Sequence, residues 1–118
     1  MKQEDKELLL KDLCARLPYG VKLQLYNGEL DNDVLNSIDT EEYIIVNGKD
    51  DIENIKPYLF HLSSMTDKQQ HEFLSTCNGY CDCYWTDETF DWLNENHFDY
   101  RGLIEKGLAI DATRLNIY

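Results

Sequence analysis

The stretch LLLKDLCARLPYGVKLQLYNG, residues 8–28, decides the fold, because its apolar spacing changes from a helical period to a strand period. Its first half keeps five side chains at the 3.6-residue spacing of one helix face: Leu9, Leu10, Leu13, Cys14 and Leu17. This pattern predicts an amphipathic helix over residues 3–17, which Pro18 and Gly20 end. Apolar and polar side chains then alternate over residues 21–26, which is typical of a half-buried strand.

Further strands are predicted after this first one. Asn27-Gly28 can supply the positive φ angles of a tight hairpin turn, and a second strand is predicted within residues 30–38. Residues 43–46 contain three β-branched side chains in a row and predict a third strand, whereas residues 52–62 contain Lys56-Pro57 and predict a short final strand or an irregular crossover. The fold class is therefore α+β: a small antiparallel meander of three to four strands, covered by three to four helices.

Three helices are predicted in the second half of the chain. Thr66 is placed to cap the first of them, with Gln69 in the reciprocal position of a capping box, and Phe73 and Leu74 supply its apolar side up to about residue 76. Thr86 or Asp87 caps the next, over residues 87–96, with Phe90 and Leu93 facing inward. A last short helix is predicted over residues 100–106, ending at Gly107 in the left-handed conformation.

Length and charge restrict the class of protein. A chain of 118 residues predicts a single domain over residues 1–118, and 42% hydrophobic residues predict that it folds. Asp and Glu number 23 against 11 Lys and Arg, a net charge of −12. This balance disfavours direct nucleic-acid binding and binding to an anionic membrane, since both need clustered cations. The sequence contains no apolar run of membrane-spanning length, so a cytoplasmic protein with reduced cysteines is expected.

The acidity is concentrated in two segments. Residues 29–53 contain nine carboxylates and one lysine, and residues 82–99 contain six carboxylates and no basic residue. Such segments are commonly solvated turns and polar helix faces that keep a protein soluble. The functional alternative is a polarised acidic surface that meets a basic partner.

Aromatic residues crowd the second acidic segment. Tyr80, Tyr84 and Trp85 fall in a predicted loop, where they are either lids over the core or anchors of a binding surface. Carboxylates follow them directly along the next helix. The candidate interaction residues are Tyr80, Tyr84, Trp85, Asp87, Glu88 and Asp91.

The cysteines form the strongest local constellation. Cys77, Cys81 and Cys83 with His71 have the donor types of a tetrahedral zinc site, but the usual two short-spaced pairs are missing. One disulfide and inert thiols are the alternatives.

The sequence does not contain a complete catalytic set. A cysteine with His97 and Asp99 would need a nearby cation to lower the thiol pKa, and residues 82–99 contain no basic residue. Asp87, Glu88 and Asp91 lie on one small helix, so they do not flank a glycosidic bond. We therefore expect neither enzymatic activity nor a cofactor.

Three stretches resemble a known family: KELLLKDLCARLPYGVK at residues 6–22, IKPYLFHLSSMT at 55–66 and WLNENHFDYRGLIEKGLAI at 92–110. The family consists of short uncharacterised proteins of gut bacteria of the Bacteroides group and of their phages and mobile elements. The resemblance implies an intracellular accessory role that is linked to phages or mobile elements. It implies no activity, cofactor or catalytic residue, and the run from residue 77 to 83 is outside the family pattern.

Together these observations predict a non-catalytic protein-interaction or accessory factor whose acidic face binds a basic partner protein. The alternative is a small-ligand or structural-zinc binding domain. The sequence leaves the identity of the partner and the oligomeric state open.

Overall fold

A computed structural model describes residues 2–24, 55–77, 85–115 and 117–118, together with short strand segments between residues 33 and 51. Within these residues the α-helices are α1 (Gln3–Arg16), α2 (Asp67–Thr76) and α3 (Asp87–Glu95). Two 3-10 helices span Leu17–Tyr19 and Leu62–Ser64. No described helix has both the length and the apolar character needed to span a membrane.

The helix boundaries follow local signals. α1 passes at Leu17 into a 3-10 helix that contains Pro18, and Gly20 closes that turn with a φ of 68°. α2 and α3 both begin with complete capping boxes, from Thr66 with Gln69 and from Thr86 with Thr89. The sequence predictions of these three helices agree with the structure to within one residue at their described ends.

Eight short strands in the described part of the chain complete the α+β fold. They are β1 (Lys22–Gln24), β2 (Asp33–Val34), β3 (Ile38–Asp39), β4 (Ile44–Ile45), β5 (Asp50–Asp51), β6 (Lys56–His61), β7 (Phe98–Asp99) and β8 (Ile110–Asp111). The main sheet has the order β2-β1-β6-β7, and β8 also pairs with β6. A separate antiparallel sheet has the order β3-β4-β5.

The main sheet is mixed rather than antiparallel. β1 pairs antiparallel with β2 and β6, whereas β6 pairs parallel with both β7 and β8. The predicted α+β class is confirmed, but the purely antiparallel pairing is corrected. β7 and β8, which follow the helices in the chain, run in the same direction as β6. Each parallel partner is two residues long, which is too short for an alternating apolar pattern to appear in the sequence.

β6 organises the sheet. The strand predicted within residues 52–62 is confirmed and the alternative of an irregular crossover is wrong, but the strand is not the final one: β6 has six residues and pairs with three other described strands. Pro57 is the second residue of β6, where its missing N–H removes a donor only near the strand's beginning. The Tyr118 hydroxyl links β1 to β6, because it accepts from the Lys22 N–H and donates to the Tyr58 carbonyl, each at 2.8 Å.

The hydrophobic core lies between α1, the sheet and the segment after β7. Its buried side chains are Leu9, Leu13, Val21, Leu23, Ile55, Leu59, Leu103, Leu108 and Ala109. Leu9 and Leu13 confirm the predicted stripe of α1, whereas Cys14 is exposed. The wider core is therefore built from residues of both halves of the chain.

The predicted last helix over residues 100–106 is wrong. This segment forms turns, because the Asp99 carboxylate accepts the backbone N–H groups of Arg101, Leu103 and Ile104. Gly102, the third residue of the predicted helix, adopts a φ of +74°, which interrupts a helix in its first turn. Gly107 does adopt the predicted left-handed conformation, with a φ of +75°.

Candidate interaction site

Two threonine hydroxyl groups at the start of α3, those of Thr86 and Thr89, hold the end of α2 in place. Thr86 and Thr89 each donate a hydrogen bond of 3.0 Å to the Thr76 carbonyl, the last residue of α2. Thr89 is fully buried, and its hydroxyl also accepts the Thr86 N–H at 3.0 Å. One pair of threonines thus starts α3 and satisfies a carbonyl that would otherwise be unpaired at the end of α2.

Four aromatic side chains form a cluster between α2, α3 and the segment after β7. This aromatic cluster consists of Phe73, Trp85, Phe90 and Tyr100. Trp85 lies at its centre, with edge contacts to Phe73 at 5.7 Å and to Phe90 at 5.5 Å between ring centroids. Phe90 also contacts Tyr100, at 5.4 Å. The T-shaped geometries are favourable for aromatic quadrupoles.

This aromatic cluster is only partly covered. Trp85 is 39% exposed and Phe90 is 38% exposed. The predicted inward orientation of Phe90 is therefore wrong, because the inward face of α3 is formed by Thr89 and Leu93, four residues apart. One edge of the Trp85 ring packs against Phe73, and the rest of the ring is exposed to solvent.

An apolar groove of about 290 Å³ adjoins the aromatic cluster. We call it the α2 groove, and it is lined by Leu62, Met65, Gln70, Phe73, Leu74 and Trp85. Leu74 is 58% exposed, although Phe73 and Leu74 form the apolar side predicted for this helix. The sequence predicted the apolar side of α2 but not that the described structure leaves it uncovered.

The acidic side chains of α3 all face solvent. Asp87, Glu88, Asp91 and Glu95 are exposed, and α3 has no basic residue. Asp87 and Glu88 lie in the first turn, where the helix dipole favours negative charge. Desolvation, together with the negative charges of Asp91 and Glu95, raises the pKa of Tyr19. α3 therefore carries a concentrated negative field beside the aromatic cluster.

Most of the predicted interaction residues are brought together. Trp85, Asp87, Glu88 and Asp91 lie within seven residues around the start of α3, with Trp85 in the groove and the carboxylates on the helix. Tyr80 and Tyr84 lie outside the described residues. The other acidic segment, residues 29–53, is described only at its short strands.

The predicted zinc set loses one of its four ligands at Cys77. Cys77 is disulfide-bonded, and Cys14, the other described cysteine, is free, so the partner of Cys77 lies outside the described residues. This corrects the expectation that the cysteines are reduced thiols, and a sulfur in a disulfide does not act as a thiolate ligand. His71 is exposed on α2, and Cys81 and Cys83 are outside the described residues. No group of three potential metal ligands occurs in the described part of the chain.

His97 and Asp99 do not form a catalytic pair. The Asp99 carboxylate accepts backbone N–H groups, and the His97 ring stacks on Tyr118 at 3.8 Å between centroids. Burial, with the positive charges of Arg16 and Lys22, lowers the pKa of His97 to about 4. His97 directly follows Asn96, the C-cap of α3, and its ring is neutral at pH 7.

Sequence reasoning missed a buried charged network at α1. Asp12 and Arg16 are fully buried, and the Arg16 Nε donates to Asp12 at 2.7 Å. Arg101 donates to the other Asp12 oxygen at 3.1 Å, and Arg16 Nη2 donates to the Phe98 carbonyl at 2.6 Å. The i, i+4 spacing of Asp12 and Arg16 is the signal for the pair, but it is equally typical of an exposed helix face.

Comparisons with protein-family models, with curated proteins and with solved structures give no match. The function of the candidate site is therefore inferred from its own geometry and charge.

Proposed function

We propose that this protein is a non-catalytic interaction module that binds a basic partner protein through Trp85 and the acidic face of α3. One observation carries the proposal: a half-exposed aromatic cluster and an apolar groove lie directly beside a helix whose ionised side chains are all carboxylates. Aromatic anchors surrounded by charge are typical of protein interfaces.

The position of Trp85 supports its role as the anchor. Its ring is held by contacts to Phe73, Phe90 and Tyr100, so binding a partner would immobilise few additional rotamers. The exposed remainder of the ring offers apolar area, which a partner side chain would bury.

The charge of α3 supports a basic partner. Four carboxylates on nine residues, in a chain of net charge −12, attract a cationic surface and repel an anionic one. Such charges increase the association rate and the salt dependence more than the affinity itself. Nucleic acid and anionic membranes are disfavoured as partners by the same field.

The resemblance of residues 6–22, 55–66 and 92–110 to the Bacteroides-group family adds a cellular context to the proposal. The module would act as an accessory factor of a phage or mobile element. A small-ligand function is less well supported, because the α2 groove, at about 290 Å³, is at the lower limit of the roughly 300–1,000 Å³ of most ligand pockets, and Gln70 is the one polar residue in its described lining.

Affinity capture tests the proposal. The intact protein is immobilised and exposed to lysate of a Bacteroides-group bacterium, in parallel with Trp85→Ala and with the triple variant Asp87→Asn, Glu88→Gln, Asp91→Asn. We expect the wild type to retain a basic protein that both variants lose, and its affinity to fall steeply as salt shortens the screening length.

The matched control is the triple variant Glu4→Gln, Asp5→Asn, Glu7→Gln, which neutralises three carboxylates in the first two turns of α1. It should capture the same protein as the wild type. Equal capture by all four proteins, or affinity that does not change with salt, would contradict the proposal. Circular dichroism of each variant verifies that the fold is retained.

A further inference from the structure

α2 is largely unburied in the described structure. Of its ten residues only Thr76 is buried, whereas α1 buries four of its fourteen. The apolar Leu74 is 58% exposed on a helix that is otherwise held by its capping box and by packing on α3. An amphipathic helix with this much apolar exposure has room for another element beside it.

Two depressions adjoin one another along this helix, and a third lies beyond its start. Gln70 and Leu74 line both the α2 groove and a second depression with Asp67 and His71. Leu62 lines both the α2 groove and a third depression, which reaches Glu105. The shared residues make one continuous tract, apolar in the middle and with a carboxylate at each end.

We propose that this tract binds a short amphipathic helix of the partner, with an apolar stripe in the α2 groove and basic residues at both ends. The inference rests on the proposed function and names the part of the partner that is recognised. α2 is about 15 Å long, so the occupant is a helix of about ten residues lying beside it.

The lining of the groove favours a helix over an added strand. A strand binds by backbone hydrogen bonds to an open sheet edge, whereas the α2 groove is lined by the side chains of helix and loop residues. A helix fills such a groove with side chains at positions i, i+3 or i+4 and i+7. The partner segment should therefore show this apolar spacing.

The charges around the tract favour a basic occupant over a second copy of this chain. Asp67 and Glu105 line its outer depressions, each followed in the chain by an exposed lysine, and no Lys or Arg of the described residues lines the three depressions. The excess of negative charge comes from the four carboxylates of α3, which begin two residues after Trp85. Two copies meeting here would bring like charges together within a chain of net charge −12. The same negative charge attracts a cationic helix.

Selection from an unbiased peptide library tests the inference. A display library of random peptides about 15 residues long, or about four helical turns, is panned against the intact protein. We expect enriched peptides to be net basic with apolar residues at helical spacing. The most enriched peptide is then synthesised and titrated against the protein, with the fluorescence of its two tryptophans, Trp85 and Trp92, as the readout.

Two charge-neutral variants locate the binding. Leu74→Gln removes an exposed apolar group from the groove and should weaken the peptide about tenfold or more. Ser75→Gln changes the next residue of α2, which is exposed and does not line the groove, and should leave the affinity unchanged. Both positions are exposed, so neither change should affect folding.

Several results would overturn the inference: no enrichment, acidic peptides, period-two apolar spacing, or equal affinity of the two variants. Concentration-dependent dimerisation lost in Leu74→Gln would assign the tract to a second copy instead. If the lysate protein is still lost with the α3 triple variant but retained by Leu74→Gln, the proposed function stands and the helix-in-groove inference fails.

Discussion

Arg16 is the residue on which the attachment of α1 depends. Its guanidinium is fully buried, pairs with Asp12, donates to the Phe98 carbonyl and lies 5.1 Å from the centroid of the Tyr100 ring. Arg101 lies over the same ring at 4.9 Å. Tyr100 is thus flanked by two cations that share the Asp12 carboxylate. The network joins α1 to β7 and to the aromatic cluster.

Removing the charge of Asp12 should destabilise the folded protein, because Arg16 stays buried. Asp12→Asn leaves Arg16 buried without its counter-charge, and we expect a loss of about 3–5 kcal/mol in the free energy of unfolding. Urea denaturation measures this loss. Asp5→Asn, in the first turn of the same helix, should cost at most about 1 kcal/mol. Similar losses at the two positions would contradict the assigned role of Asp12.

His97 should make stability depend on pH. In the unfolded chain the His97 ring binds a proton near the ordinary histidine pKa of 6.5, whereas in the folded protein it does so only near pH 4. The unfolded state therefore holds more protons between these values, so the free energy of unfolding decreases as pH falls from about 6.5 to 4. Below pH 4 both states are protonated, and His97 causes no further loss.

His97→Asn tests this dependence. Asn has no titrating group and tolerates the left-handed conformation that His97 adopts, with a φ of 62°. Urea midpoints measured at intervals between pH 7 and 4 should decrease more steeply for the wild type than for the variant. Parallel curves would show that the buried ring does not control this window.

At the scale of elements, the two threonines at the start of α3 hold α2 and α3 together. Thr89→Val keeps the shape of the buried side chain but removes the hydroxyl that bonds to the Thr86 N–H and to the Thr76 carbonyl. We expect a loss of about 1–3 kcal/mol, because both groups lose a partner. The matched change Thr113→Val, at an exposed threonine, should cost less.

Hydrogen exchange identifies which element responds to Thr89→Val. The amides of α2 should exchange faster in the variant, since α2 has few buried side chains of its own. The amides of α1 should be affected only through the global loss of stability. Unchanged exchange in α2 would mean that this helix is held in place without the Thr89 hydroxyl.

At the scale of the whole molecule, the disulfide of Cys77 decides how many thiols are free. One disulfide among four cysteines leaves two thiols, so titration of the unreduced, denatured protein should return two rather than four. Reduction should lower the melting temperature, because a cross-link restricts the unfolded chain. Four reactive thiols before reduction would contradict the oxidised state of Cys77.

The sequence predicted those elements whose signals are local. The stripe of Leu9 and Leu13, the box of Thr66 with Gln69 and the cap at Thr86 all depend on residues within one or two turns. The proximity of Trp85 to the α3 carboxylates could also be predicted, because these residues are adjacent in the chain. Such features follow from backbone geometry, which is independent of distant residues.

By itself, then, the sequence determined an acidic α+β protein with an aromatic and carboxylate-rich segment around residue 85. Only the tertiary structure decided the parallel pairing of β7 and β8 with β6, the burial of Asp12 with Arg16 and the exposure of Leu74. The physical reason is that strand direction, burial and exposure depend on the elements that pack against a residue, and those elements are distant in the chain.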